Sequence, residues 1–284
     1  MNGGSLLKLR EPIGKGSSLI ADGELKYIEF DCFERFDTEM VHCMSTRLGG
    51  VSRGECSSLN LGFNRKDSRE NVKINFGRIC ASLGIDTDSL VFSNQVHESS
   101  LRVVDESDKG KGFLRESDIK AVDGLLTNKP GITLVTFYAD CVPVFFYEPE
   151  KRVIALVHSG WRSTYKNIAG ETVRKMVSTF CCSPQKMVVA IGPSIGSCCF
   201  EVGNDIYRMF AERYYDSKFY TASVMDKWKV NLQAIIRNEL LSEGLNGGNI
   251  YNSDICTKCR KDLFFSHRGD LGATGSLAAF MQLR

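Results

Sequence analysis

The spacing of apolar residues along the chain predicts a mixture of strands and helices. Alternation of apolar and polar side chains indicates strands at 26–30 and 41–46. A long apolar region from 132 to 147 is interrupted by Asp140 and Pro143, and it is typical of two buried strands rather than one. Short apolar runs predict the remaining strands, at 101–104, 132–137, 142–147, 153–157, 187–191 and 263–266.

Apolar residues that recur every three or four positions predict four helices. In the segment 67–83, Asp67 and Glu70 resemble a capping box at the start of a helix. Its core face is formed by Val72, Phe76, Ile79 and Leu83. The other helices are predicted at 169–180, with Val173, Met176, Val177 and Phe180 on the core face, and at 205–214 and 230–241.

Strands and helices follow each other without a regular βαβ alternation, which favours an α+β fold over a doubly wound sheet. The chain has no internal repeat and no linker long enough to divide it. We therefore expect a single domain over residues 1–284, in which residues 1–25 form a loosely attached N-terminal segment.

Composition restricts the class of protein. With 284 residues, 43% of them hydrophobic and 25% charged, the chain can bury a full core. A net charge of +2 without a basic run argues against nucleic-acid or membrane-surface binding. No signal peptide or membrane span is evident, and 11 cysteines fit reduced thiols in a cytosol, so a cytoplasmic location is expected. Such an enzyme could be a monomer or a homodimer.

Three residues in the middle of the chain could hold a metal ion, namely His97, Cys141 and His158. Two imidazoles and one thiolate are good zinc ligands, and three protein ligands leave a fourth position open for water or substrate. The three lie far apart in sequence, so no local spacing forces them together. Each has an ordinary alternative, since a histidine at a strand end or a buried cysteine often serves packing alone.

Other polar residues near these positions are candidates for catalysis or substrate binding. Asp140 is a possible acid/base carboxylate, although it could equally cap a turn. Arg162 and Arg47, each two residues from a glycine, could hold a phosphate or carboxylate. Asn60 and Gln95 offer amide groups to a substrate. Many such loops are only turns.

Four further cysteines have no clear role from sequence. Cys198 and Cys199 lie in a glycine-rich loop, and Cys256 and Cys259 form one Cys-x-x-Cys pair. A zinc ribbon needs two such pairs at suitable spacing, so that interpretation is weak, and the role of all four stays open.

Several segments, taken in order, resemble the YfiH-like family, also called the laccase-domain or polyphenol-oxidase family. The matching motifs include Gln-Val-His, Asp-Gly-Leu-x-Thr, Ala-Asp-Cys-x-Pro-Val and His-x-Gly-Trp-Arg. The full set of matching segments, which includes these four motifs, lies at residues 45–52, 58–62, 95–97, 123–127, 139–144, 158–162, 191–202 and 264–268. The resemblance implies a layered αββα sandwich, related to a toxin deamidase fold, and metal ligation by His97, Cys141 and His158.

The resemblance also implies an activity on small purine nucleosides. Family members resemble phosphorylases that convert adenosine, inosine, guanosine or methylthioadenosine to base and ribose 1-phosphate, and they also deaminate adenosine. For such chemistry we expect zinc at the metal site, Arg47 and Arg162 on the phosphate, and Asp140 as the proton-shuttling group. Arg47, Asn60, Gln95 and Arg162 are the expected substrate-binding residues.

Three alternatives remain open. A multicopper laccase is excluded because the chain has only 4 histidines, but a single-copper polyphenol oxidase is not. A metal-independent hydrolase could use Cys141 as nucleophile and His158 as base. A non-enzymatic binding module would need a closed, four-ligand structural metal site, with Cys198, Cys256 or Cys259 as the fourth ligand.

Overall fold

The computed structural model describes residues 8–284, which form sixteen strands and five α-helices. The strands are β1 (Leu9–Pro12), β2 (Ser17–Asp22), β3 (Leu25–Phe30), β4 (Met40–Ser45), β5 (Leu90–Phe92), β6 (Leu101–Val103), β7 (Gly124–Thr127), β8 (Thr133–Tyr138), β9 (Val142–Glu148), β10 (Val153–Ser159), β11 (Val188–Ile191), β12 (Glu201–Val202), β13 (Tyr220–Ala222), β14 (Trp228–Val230), β15 (Ile250–Asn252) and β16 (Leu277–Leu283). The helices are α1 (Arg69–Leu83), α2 (Trp161–Tyr165), α3 (Ile168–Phe180), α4 (Asn204–Arg213) and α5 (Leu232–Ser242). Short 3-10 helices occupy Asp31–Phe36, Gly54–Cys56, Thr87–Ser89, Glu106–Asp108, Pro184–Lys186, Ser217–Phe219 and Gly247–Asn249.

The strands form three sheets. A seven-stranded sheet has the order β1-β2-β3-β4-β16-β8-β5, and a six-stranded sheet has the order β15-β11-β9-β10-β7-β6. A small sheet, β12-β14-β13, completes the set. Most neighbours are antiparallel, while β5 with β8, β6 with β7, and β11 with β15 are parallel.

The two large sheets pack face to face and carry helices on their outer faces. Successive residues of a strand point to opposite faces, and the core clusters follow this alternation. Phe145 of β9 packs between the two sheets, whereas Phe146 packs under α3 and α5. Likewise Leu134 of β8 packs between the sheets, and Val135 packs under α1 with Phe76. The resulting αββα sandwich confirms the expected fold class.

The N-terminal segment differs from the loose attachment expected for residues 1–25. β1 is exposed at the edge of the seven-stranded sheet, but β2 pairs with β3 along its whole length and buries Ile20 in the core. Residues 1–7 lie outside the described part of the chain. Among residues 8–284, every helix is too short or too polar to cross a lipid bilayer.

One capping residue and one core-face residue of the predicted helices need correction. α1 begins after Ser68, whose Oγ accepts a hydrogen bond from the Asn71 backbone N–H, so the capping residue is Ser68 and the predicted Asp67–Glu70 capping box is wrong. Asp67 instead accepts from the Ser68 backbone N–H. In α3, Val177 is 38% exposed and lies outside the core face assigned to it.

The strand prediction also has one false strand and several omissions, of which β16 is the longest. Residues 263–266 are buried but join no sheet. Their apolar side chains pack in the core, although their backbone forms no strand. β16 was not predicted, although it lies between β4 and β8 in the seven-stranded sheet.

Candidate metal centre

His97, Cys141 and His158 meet at one end of the sandwich, with their ligand atoms all within 4.8 Å of one another. Cys141 occupies the tight turn between β8 and β9, and His158 lies near the end of β10. β9 and β10 are antiparallel, and their register places His158 opposite Pro143, two residues from Cys141. His97 comes from the loop between β5 and β6, and its ring centroid lies 4.9 Å from that of His158.

The backbone at this centre adopts conformations that side-chain-bearing residues rarely take. His97 and Asp140 have φ angles of 62° and 89°, in the left-handed region. Gly160 is needed for close approach, since a Cβ there would lie 2.7 Å from His97 Nδ1 and 3.1 Å from Cys141 Sγ. The turns therefore hold the three ligands together at a conformational cost that surrounding contacts must offset.

Asp123 supplies those contacts, and it was not among the predicted site residues. Its buried carboxylate accepts from the backbone N–H groups of Val96, His97 and Glu98 at 3.1, 3.0 and 2.9 Å. The same carboxylate lies 2.9 Å from His158 Nδ1. A carboxylate on one ring nitrogen leaves Nε2 of His158 as the metal-binding atom. A signal existed in the sequence, because an acidic residue directly precedes the apolar residues of β7.

The charges of the centre reinforce one another. Burial alone raises the pKa of the Cys141 thiol, but the adjacent His158 and His97 outweigh it and bring that pKa to about 6. Burial likewise lowers the pKa of His158, yet the Cys141 thiolate and Asp123 raise it to about 9. Near neutral pH the metal-free centre thus favours a thiolate beside an imidazolium, and the thiolate is the form that binds metal.

These residues open onto a cavity of about 740 Å³, a size typical of small-molecule sites. Its wall includes aromatic side chains with flat apolar faces, namely Phe63, Phe92, Trp161 and Phe200. It also carries a set of basic side chains, namely Arg65, Lys120, Arg162 and Arg268. The cavity therefore suits a molecule with a flat ring system and a negative charge.

Asp140 and Gln95, two of the candidate site residues, line this cavity. The Asp140 carboxylate accepts from Thr257 Oγ1 at 2.6 Å and from the Arg268 backbone N–H at 2.7 Å. The Gln95 amide donates to the Phe137 carbonyl and accepts from the Phe137 N–H, both at 2.7 Å. Both side chains thus also fix neighbouring segments of the wall.

The two candidate arginines differ in their surroundings. Arg162 lines the cavity with its guanidinium 4.2 Å from the centroid of the Trp161 ring, and within residues 8–284 this guanidinium makes no hydrogen bond. The Arg47 guanidinium instead donates to the carbonyls of Ser57 and Lys261 and stacks on Phe265, away from the cavity wall. Only Arg162 is placed with free donors toward a ligand.

Asn60 also lies away from the cavity wall. It is fully buried, and its amide group donates to the Gly62 carbonyl and Asp67 while accepting from the N–H groups of Gly62 and Ser276. These bonds fill the capacity of the side chain. The structure thus gives Asn60 a role in holding loops, and its proposed contact with substrate stays a prediction.

The donor set fits a metal ion with an open position. Among residues 8–284, no fourth histidine, cysteine or carboxylate joins the trio, and Cys198, Cys199, Cys256 and Cys259 form a separate group. His42 is buried with Nε2 accepting from the Phe30 N–H, and burial lowers its pKa to about 3. Of the described residues that line the cavity none is a methionine, so an axial thioether for copper is lacking there.

Comparison with known proteins gives consistent matches over most of the chain. Residues 41–284 match the family described as multi-copper polyphenol oxidoreductase laccase. The purine nucleoside phosphorylase YlmD of Geobacillus stearothermophilus is 34% identical over 244 residues, which cover 85% of this chain and 89% of that protein. Its namesake in Bacillus subtilis is 33% identical, with coverage of 87% and 89%. The crystal structure of the hypothetical protein YfiH from Bacillus licheniformis superimposes with a TM-score of 0.87 at 29% identity, over 94% of this chain and 99% of that one.

Proposed function

This chain belongs to the multi-copper polyphenol oxidoreductase laccase family, and we propose that it is a zinc-dependent purine nucleoside phosphorylase that also deaminates adenosine. The observation that carries the proposal is the His97–Cys141–His158 trio with an open position, in the wall of a cavity of about 740 Å³. Relatives named purine nucleoside phosphorylases support it. The proposed substrates are adenosine, inosine, guanosine and methylthioadenosine, together with inorganic phosphate.

The cavity wall offers complementary groups to both substrates. A purine ring can stack on an aromatic face such as Trp161 or Phe200. Arg162 has free donors, and a guanidinium binds two phosphate oxygens at once. Arg268, whose backbone N–H donates to the Asp140 carboxylate, adds a second positive charge. Arg47 would reach the phosphate only after releasing its carbonyl partners, and its role there stays a prediction.

In phosphorolysis, a phosphate oxygen attacks C1′ of the ribose while the bond from C1′ to the purine nitrogen breaks. The electron pair leaves with the base, which must then gain a proton. The arginines align the phosphate and shield its charge, which lowers the entropic and electrostatic barrier. Asp140 is the proposed proton-shuttling group, since its carboxylate lines the cavity beside Cys141.

His97, Cys141 and His158 would hold a zinc ion, which when bound would supply a Lewis acid for developing negative charge and for the water used in deamination. Asp123 orients His158, and through its three backbone contacts it keeps His97 in place. In deamination, water adds to C6 of adenine and ammonia leaves, so adenosine becomes inosine. Asp140 would move the proton between the incoming water and the leaving amine.

Product analysis with purified protein tests this function. Adenosine is incubated with and without phosphate, and base, ribose 1-phosphate and inosine are separated by chromatography. We expect ribose 1-phosphate only with phosphate, in an amount equal to adenine and hypoxanthine together, and inosine in both samples. Free ribose instead of ribose 1-phosphate would indicate hydrolysis, and no turnover of any of the four nucleosides would refute the proposal.

A metal-independent Cys–His hydrolase is the second candidate, favoured by the thiolate character of Cys141 beside His158. The two candidates respond in opposite ways to a chelator. The zinc enzyme loses activity, whereas the hydrolase keeps it and is inhibited by alkylation of Cys141.

A further inference from the structure

Four cysteines outside the candidate metal centre form a cluster of their own. The four-cysteine cluster consists of Cys198, Cys199, Cys256 and Cys259, with sulfur atoms all within 4.8 Å of one another. Cys198 Sγ and Cys199 Sγ lie 3.6 and 3.5 Å from Cys259 Sγ. The first pair follows β11 and the second follows β15.

The fold explains how the two loops meet. β11 and β15 are parallel neighbours, so the segments that follow them leave the six-stranded sheet at the same end. A single bridge between Ser194 and Cys256 continues their pairing beyond the strands. The Gly196 N–H then donates to Cys256 Sγ at 3.3 Å, a bond typical of a metal-binding thiolate.

Burial does not account for the clustering. Cys198 and Cys259 are exposed, Cys199 is half-buried and only Cys256 is buried. Gathering exposed thiols removes little apolar surface from water, so the hydrophobic effect gives little reason for it. Nor are the thiols joined as disulfides, since all four are free.

The separations fit tetrahedral coordination. A Zn–S bond is about 2.3 Å, which places sulfurs of a ZnS₄ tetrahedron about 3.8 Å apart. The sulfur separations of 3.5 and 3.6 Å are close to that value. Four thiolates in such an arrangement select zinc or an iron–sulfur centre, and four protein ligands leave no position for substrate.

We propose that the four-cysteine cluster binds a second, structural zinc ion. Binding releases the four thiol protons and forms four Zn–S bonds. The site ties together two loops that both contact Asp140. The Ile195 N–H donates to the Asp140 carbonyl at 2.8 Å, and Thr257 Oγ1 donates to its carboxylate. Because Ile195 and Phe200 line the cavity, the zinc would also stabilise that part of its wall.

Metal analysis of variants purified under reducing conditions tests this site independently of the first. The variants are Cys141→Ala, which removes a ligand of the candidate metal centre, and Cys141→Ala combined with Cys198→Ser and Cys259→Ser. Cys181→Ser, an exposed cysteine outside both groups, is the matched control. We expect about one zinc per chain in Cys141→Ala, none in the triple variant and no loss in the control.

Cobalt substitution of Cys141→Ala gives a second readout that does not depend on the triple variant's folding. We expect the intense thiolate-to-cobalt absorption of a tetrahedral four-thiolate site. Cys141→Ala protein that is folded but holds no zinc and gives no such spectrum would overturn the proposal, as would iron in place of zinc. Failure of the proposed enzymatic function would appear instead as missing turnover in the wild type, whatever the cluster binds.

Discussion

His158 Nδ1 lies 2.9 Å from the carboxylate of Asp123, which also accepts from three consecutive backbone N–H groups that include that of His97. One buried carboxylate thus fixes the ring of one proposed ligand and the backbone of another. Burial raises the pKa of Asp123, but these hydrogen bonds outweigh it and hold that pKa below its ordinary value. The carboxylate therefore stays ionised at neutral pH, as a partner of a metal-bound imidazole should.

Asp123→Asn should weaken metal binding. The amide keeps the size of the side chain but loses the charge and replaces one acceptor oxygen with a donor group, and loss of such a partner typically costs roughly 10- to 100-fold in metal affinity. Competition with a chelating dye measures the affinity. Asp88→Asn, at an exposed position, is the control and should bind metal like the wild type. Unchanged affinity in Asp123→Asn would remove Asp123 from the site.

Arg162→Ala should raise the KM for phosphate by roughly tenfold or more, because a charge-assisted pair with phosphate contributes about 1.5–3 kcal/mol. Arg162→Lys keeps the charge but not the fork of donors, and it should recover part of the loss. Arg213→Ala is a matched control, since that guanidinium also stacks on an aromatic ring but lies off the cavity wall. Equal phosphate KM values for Arg162→Ala and wild type would contradict this role.

Removal of the metal should make Cys141 reactive. In the metal-free centre its pKa is about 6, so at pH 7 the thiolate predominates and iodoacetamide should alkylate it quickly. Below about pH 6 the thiol is protonated, and the rate should fall. Peptide mass mapping follows Cys141 with and without chelator, and the exposed Cys181 serves as an internal control. Equal labelling of Cys141 in both samples would show that no metal protects it.

Glu239 should make stability depend on pH. Burial raises its pKa to about 8, although donation from the Tyr214 hydroxyl opposes this. The folded protein therefore holds a proton that the unfolded chain releases near pH 4.5. Its stabilising contribution is complete below that pH and is lost as pH rises toward about 8.

Glu239→Gln, which is neutral throughout, should therefore be more stable than wild type above about pH 8. The difference should shrink as pH falls toward 4.5. Urea unfolding over this pH range measures it, with Glu212→Gln on the exposed face of α4 as the control. A constant difference between Glu239→Gln and wild type would mean that Glu239 does not titrate in this window.

The sequence predicted those parts of the site that depend on residues close together along the chain. Strands β8, β9 and β10 are coded by their own apolar runs, and the turns that interrupt or end them hold Cys141 and His158. β16 lies between β4 and β8, which are both distant from it in sequence. Its own residues therefore did not identify it as a central strand. That placement is set by tertiary pairing.

Side-chain partners were harder to predict than side-chain types. Asp123 belongs to the site because β7 pairs with β10, a contact that no local pattern specifies. Arg47 has the right chemistry for phosphate, but nearby carbonyl groups occupy its donors. Cys256 and Cys198 come together only because β15 pairs with β11. The pairing of strands determined the outcome for Asp123 and the cysteines, and neighbouring carbonyl groups determined it for Arg47.

The most direct test of the central claim compares wild type with Cys141→Ala in metal content and in turnover of adenosine with phosphate. Cys181→Ser is measured alongside as a cysteine variant remote from the centre. We expect Cys141→Ala to contain about one zinc fewer per chain and to produce no ribose 1-phosphate, while the control matches wild type. Undiminished turnover in Cys141→Ala, or a wild-type protein that is fully active after its metal is removed, would contradict a zinc enzyme centred on His97, Cys141 and His158.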